Sequence, residues 1–252
     1  MAILIVQMEA EADAVRIKIM NKGKERIFAV SKKQITACSP YFAAAFEGTS
    51  QGANDKETKL YDVATATFEQ FLLWLDWHSN SENSRVECDP YGPLYLESLS
   101  YHGICELAIN MYLFAHAYDV PQLRVDATDR LTWLFRRITK STFSLPADIV
   151  GRVYGEMPKG SPLRMILIDG FYFWGFNDTM TFKSLMGYPK EFLVDVMLRS
   201  AKILNDEDEG VTSLSLSRGC DPRRFFYPCY YHDHKEYSEI GDCLETRIPG
   251  GF

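Results

Sequence analysis

The spacing of apolar residues changes period once near the start of this chain, and that change constrains the fold more than any other feature. Val15, Ile17 and Ile19 alternate with Arg16 and Lys18. A period of two is that of a strand with one buried face. Asn21-Lys22-Gly23-Lys24 supplies turn residues, and Arg26 to Val30 reads as a second strand, so the two form a hairpin. At Ser31 the period becomes helical, with Ile35 and Cys38 on one face. Ser39-Pro40 predicts the start of another helix: a serine hydroxyl accepts from the N–H two or three residues on, and proline at the next position loses no bond. That helix carries Tyr41, Phe42, Ala45 and Phe46.

A polar, Gly-containing stretch from Gly48 to Lys59 reads as a loop, and Leu60 to Val63 as a short strand. Phe68, Phe71, Leu72 and Leu75 follow at i, i+3, i+4, i+7, one apolar helical stripe widened by Trp74 and Trp77. From about 78 to 104 the period is lost, and the segment reads as a surface insertion. Leu107, Met111, Phe114 and Tyr118 make another stripe, broken at Asp119-Val120-Pro121. Leu123, Ala127, Leu131, Leu134 and Ile138 make the next. So short a link predicts an antiparallel helical hairpin. Residues 139–204 read as mostly helical, with their strongest run at Leu163 to Phe173 and an amphipathic helix over Gly187 to Leu204. Asp206-Glu207-Asp208-Glu209 reads as an acidic linker. The expectation is an α+β fold: a small sheet with helical hairpins over 13–138, a helical region over 139–204, and an acidic linker with a Cys/His-rich tail over 205–252, after a short tail at 1–12.

The blocks come in an order that resembles the BTB/POZ domain. That family runs its second strand into Phe-x-Val-His-Lys, then Leu-x-x-x-Ser-x-x-Phe. Here Phe28-Ala29-Val30-Ser31-Lys32 precedes Ile35-Thr36-Ala37-Cys38-Ser39-Pro40-Tyr41-Phe42, with Ser31 where the family carries histidine. Its Phe-x-x-Phe-Leu-x-Trp-Leu is similar to Phe68 through Leu75, and its Leu-Tyr-x-Leu-Ala-x-x-Tyr-x-Val-x-x-Leu to Met111 through Leu123. Each block alone is a hydrophobic pattern; four in order are more specific. The whole looks most like fungal-type BTB proteins, which continue into a helical C-terminal region. The resemblance implies a protein–protein interaction module, not an enzyme, that assembles as homo- or hetero-oligomers. It also implies a role many relatives hold, that of substrate adaptor for a cullin-type ubiquitin ligase. Phe42, Phe46, Trp74 and Tyr112 occupy motif positions and read as core rather than contact residues.

Charge narrows the partners. The 252 residues carry a formal net charge of −7, which repels phosphate backbones and anionic lipid. Arg223-Arg224 beside Phe225-Phe226 is the best case for single-strand stacking, but acidic residues flank it. The apolar run Ala2 to Val6 is far shorter than the ~20 residues of a membrane span, so the chain reads as intracellular, in nucleus or cytoplasm.

No nucleotide-binding, nucleophile-elbow or metalloprotease motif is present. His116 reads as a core-edge histidine rather than a general base, and Cys38 and Cys105 as small buried side chains. The constellation with chemical potential is Cys220-x8-Cys229-x2-His232-x-His234-x8-Cys243. Structural zinc takes four such ligands in a tetrahedron. Cys229 and His232 are spaced to share one ion, and His234 can replace His232. The segment is Tyr-rich with few aliphatics, so a metal would supply fold energy it otherwise lacks. The spacing is not that of a standard finger, and a cysteine-rich tail without metal is the alternative. A zinc-dependent nucleic-acid binder is the third functional reading. The aromatic run Phe171 to Phe176 reads as a buried helix end in preference to a binding patch.

Overall fold

The computed structural model describes residues 13–47, 56–80, 100–139, 143, 145–175, 181–208 and 228–232. Strands β1 (Ala14–Asn21) and β2 (Lys24–Ser31) pair antiparallel, with Ile17 opposite Phe28 and Ala14 opposite Ser31. Lys22 and Gly23 both have positive φ (50° and 74°), the conformation that lets a two-residue turn follow the twist of its strands. Helices α1 (Lys32–Cys38) and α2 (Pro40–Glu47) follow. Strand β3 (Glu57–Tyr61) lies parallel to β1 and gives the order β2-β1-β3. It starts earlier than the apolar Leu60 suggests. Glu57 bonds Lys18 at 2.8 Å and Arg16 at 3.3 Å across the ladder, and Asp62, at φ 59°, ends the strand.

Helix α3 (Thr65–Asn80), α4 (Tyr101–Ala117) and α5 (Pro121–Phe135) come next. Then come α6 (Ala147–Glu156) and α7 (Pro162–Gly170), the latter continued by a π-helical turn (Phe171–Gly175). The short α8 (Phe182–Leu185), the long α9 (Lys190–Asp208) and a 3-10 turn (Pro228–Tyr231) complete the described chain. Helix α9 runs through Asp206, Glu207 and Asp208, which the sequence assigned to a linker. No Gly or Pro interrupts the chain between Lys190 and Gly210, so charge alone does not stop the helix.

The chain divides into two compact units. Unit one holds residues 1–93 and 114–124, and unit two holds 94–113 and 125–252. The division passes through α4 and α5, whereas the sequence placed one boundary near 138.

Unit one has an aromatic core. Phe42, Phe68, Phe71 and Trp74 are fully buried under Val15, Ile17, Ile19 and Leu60. Phe71 packs 4.8 Å from Phe114 and 6.0 Å from Trp74, ring centre to ring centre. Ser39 is buried and holds two elements at once. Its hydroxyl accepts from Phe42 N at 3.1 Å, capping α2, and donates to Tyr118 O at 2.7 Å. Ser31 plays the capping part for α1, accepting from Gln34 N.

Unit two packs helices. Phe171, at the start of the π turn, is buried against Phe143, Tyr188 and Phe192. Trp174 donates its indole N–H to Phe135 O at 3.1 Å. Tyr172 and Phe173 are half-buried and Phe176 lies outside the described residues, so Phe171 and Trp174 are the members of this aromatic run that belong to the interior.

Candidate interaction surface

The four motif aromatics are structural. Phe42 and Trp74 have no exposed surface, and Phe46 and Tyr112 have 2% each. Their residue type follows from the cores they fill, Phe42, Phe46 and Trp74 in unit one and Tyr112 in unit two.

Unit one exposes Leu73 and Tyr41 on its helices and, as a continuous surface, one face of its sheet. The pleat turns Val15, Ile17 and Ile19 inward and Arg16, Lys18 and Met20 to the other side. Register then places Glu25, Ile27 and Ala29 of β2, and Glu57, Lys59 and Tyr61 of β3, on that same outer face. Tyr61 is 64% exposed and Ile27 55%. Met20, half-buried, lies opposite both Glu25 and Tyr61. Around them run ion pairs: Lys18 Nζ bridges Glu57 at 2.8 Å and Glu25 at 3.8 Å, and Arg16 reaches Glu57. The result is a few exposed apolar side chains framed by paired charges. Such a rim contributes little energy itself but sets the orientation of a docking partner.

Unit two holds a buried polar network that residue spacing did not reveal. Asp169 interrupts the apolar run of α7, and its carboxylate is almost wholly buried. Arg199 of α9 donates to both its oxygens, at 2.7 and 3.3 Å, and Tyr231 donates its hydroxyl at 2.8 Å. Burial pushes the Asp169 carboxyl above the usual carboxylate range, while Arg199 and Tyr231 pull it back. The Tyr231 hydroxyl is pushed well up, by burial first and then by the neighbouring carboxylate. One residue further on, His232 Nε2 lies 2.6 Å from Asp129 Oδ1. The 3-10 turn Pro228–Tyr231 is thereby fastened to α5, α7 and α9. The signal in the sequence was a lone carboxylate inside Leu163 to Phe173, but its partners lie 30 and 62 positions away.

Of the residues expected to hold zinc, only His232 has a described side chain. Cys220, His234 and Cys243 lie outside the described residues, and Cys229 is placed by its backbone alone. Among the described residues no three His, Cys, Asp or Glu side chains gather to hold a metal ion. The Arg223 to Phe226 stretch also lies outside them.

The remaining nucleophile candidates are poorly placed for chemistry. Burial pushes the thiols of Cys38 and Cys105 up to about 12, so neither is a thiolate near neutral pH. His116 is exposed on α4 rather than at a core edge. His78 stacks on Trp74 at 4.8 Å. No helix among the described residues is long and apolar enough to cross a membrane.

Residues 8–77 match the family model of the BTB/POZ domain. The N-terminal part of this chain is a BTB/POZ domain. The match spans the sheet, α1, α2 and most of α3, and it ends at Trp77. BTB/POZ domains form a protein-interaction family rather than an enzyme family, so the chain carries a protein–protein interaction module. A comparison with curated proteins finds no match.

Proposed function

We propose that the BTB/POZ unit assembles this chain into homo- or hetero-oligomers through the outer face of its sheet. The observation that carries the reading is the exposure of Ile27 and Tyr61 beside Met20, inside a frame of paired charges, while the motif aromatics are spent on the core. Burying such a cluster removes apolar surface from water at about 25 cal/mol per Å² and leaves the ion pairs at the rim. The unit recognises a protein surface, and catalysis has no part in it.

The test is affinity capture of the tagged chain from its native cells, wild type beside Ile27→Lys/Tyr61→Lys. A near-stoichiometric partner that the double variant loses supports the reading. A partner retained in full by the variant contradicts it. The identity of the partner decides between finer roles. A cullin would make the chain a ligase adaptor with unit two as the place for a target, and a second copy would make it an assembly module.

A structural zinc in the C-terminal Cys/His segment is a separate proposal. It is favoured by the His232–Asp129 pair, because a carboxylate on one ring nitrogen orients the other toward a metal. Metal analysis of chelator-free protein tests it: about one zinc per chain supports it, and less than about a tenth contradicts it.

A further inference from the structure

We infer that the outer face of α9 pairs antiparallel with the same face of a second copy of this chain. Helix α9 is apolar on both sides. Phe192, Val196 and Ile203 are buried in unit two, and Asp195 and Arg199 on that side bond Tyr154 and Asp169. On the opposite side Val194, Met197 and Leu198 are 51%, 70% and 61% exposed, and Ala201 continues the stripe at i+7. A helix with a solvated outer face carries polar residues there, so an apolar stripe at i, i+3, i+4, i+7 marks a second packing seam. Two more strongly exposed apolar residues, Phe182 and Met186, lie just before this helix in the sequence.

The charges beside the stripe select the occupant. Glu191 and Lys202 are both exposed and flank the stripe at its two ends. They are eleven positions apart, which brings them within about 20° of each other around the helix but ~16 Å apart along it. They are too distant to pair within one helix. A two-fold axis between antiparallel copies sets the Glu191 end of each helix against the Lys202 end of the other, on the same side. The small Ala201 of one copy then comes opposite Val194 of the other, and Met197 comes beside Leu198. The face is therefore complementary to itself in charge and in shape. The stripe is short against the ~800 Å² per partner of a standard interface, so the pairing is weak and concentration-dependent.

Sedimentation equilibrium of the full chain tests this. The wild type is expected to dimerise reversibly. Met197→Glu is expected to abolish the association. Glu191→Lys and Lys202→Glu, which put like charges across the axis, are each expected to weaken it about fivefold. A mixture of those two variants is expected to associate at least as tightly as wild type, because opposite charges then face each other. Unchanged circular dichroism and melting confirm that each variant folds. A wild type that is monomeric at every concentration overturns the inference, as when a distant part of the same chain covers the stripe. So does an association indifferent to Met197→Glu or to the charge exchange. Repeating the series with Ile27→Lys/Tyr61→Lys in place separates this seam from the sheet face: association through the sheet is lost there, and dependence on α9 remains.

Discussion

Asp169 ties α7 to α9 and to the 3-10 turn in unit two. A buried carboxylate is costly unless its oxygens are all engaged, and here Arg199 and Tyr231 engage them. Arg199→Leu is expected to cost about 3 kcal/mol at neutral pH, measured by denaturant unfolding. The sign of its pH dependence follows from the direction of the shift. Burial already raises the Asp169 carboxyl, and loss of the cation raises it further. The penalty of the variant is thus present above that raised value and shrinks as pH falls through it and the carboxyl takes a proton. A penalty that is constant or larger in acid would contradict this account. Ser39→Ala is expected to cost about 1–2 kcal/mol, because it removes the α2 cap and leaves Tyr118 O without the hydroxyl. Sequence announced Ser39, since capping is local and Pro40 marks it. It did not announce Asp169, whose partners are joined to it only by the fold.

At the scale of elements, local chemistry fixed the hairpin and the helix starts. The Lys22-Gly23 turn needs positive φ at both residues, and only Gly23 adopts it without strain. Lys22→Asn is expected to raise stability by about 0.5 kcal/mol, because asparagine tolerates the left-handed region. An unchanged or lower melting temperature would contradict that. Gly170 ends α7 where a Cβ would fall 2.7 Å from the buried Phe135 ring. Gly170→Ala is expected to destabilise by about 1–3 kcal/mol, read by the same unfolding assay. The elements misjudged from sequence were those whose limits the apolar pattern does not set. Strand β3 gains its first residues from β1 and the Glu57 ion pairs. Helix α9 keeps its acidic end because nothing before Gly210 breaks it. Its burial pattern has two sides, and an apolar outer face cannot be told from an inner one by period alone.

At the scale of the molecule, the BTB/POZ block was legible because its motifs recur in order, and the three that fall within residues 8–77 are each fixed by an aromatic or a cap. Phe42, Phe46 and Trp74 are buried where those motifs imply core. The sequence carried that block to residue 138, whereas the division passes through α4 and α5, whose apolar stripes look alike on either side of it. Cys105 offers a check on the packing of unit two. Burial pushes its thiol up to about 12, so native alkylation at neutral pH is expected to leave it unlabelled, while unfolding exposes it. Rapid labelling of Cys105 in the native chain would contradict the packing.

On the proposed function, the outer sheet face of the BTB/POZ unit is the surface that a partner covers. Hydroxyl-radical footprinting of the full chain, alone and in its captured complex, distinguishes a covered face from a free one. Met20, Ile27 and Tyr61 are expected to lose reactivity several-fold in the complex, while buried Phe42 and Trp74 react poorly in both states. Equal reactivity of Ile27 and Tyr61 in the free chain and in a stoichiometric complex would contradict it.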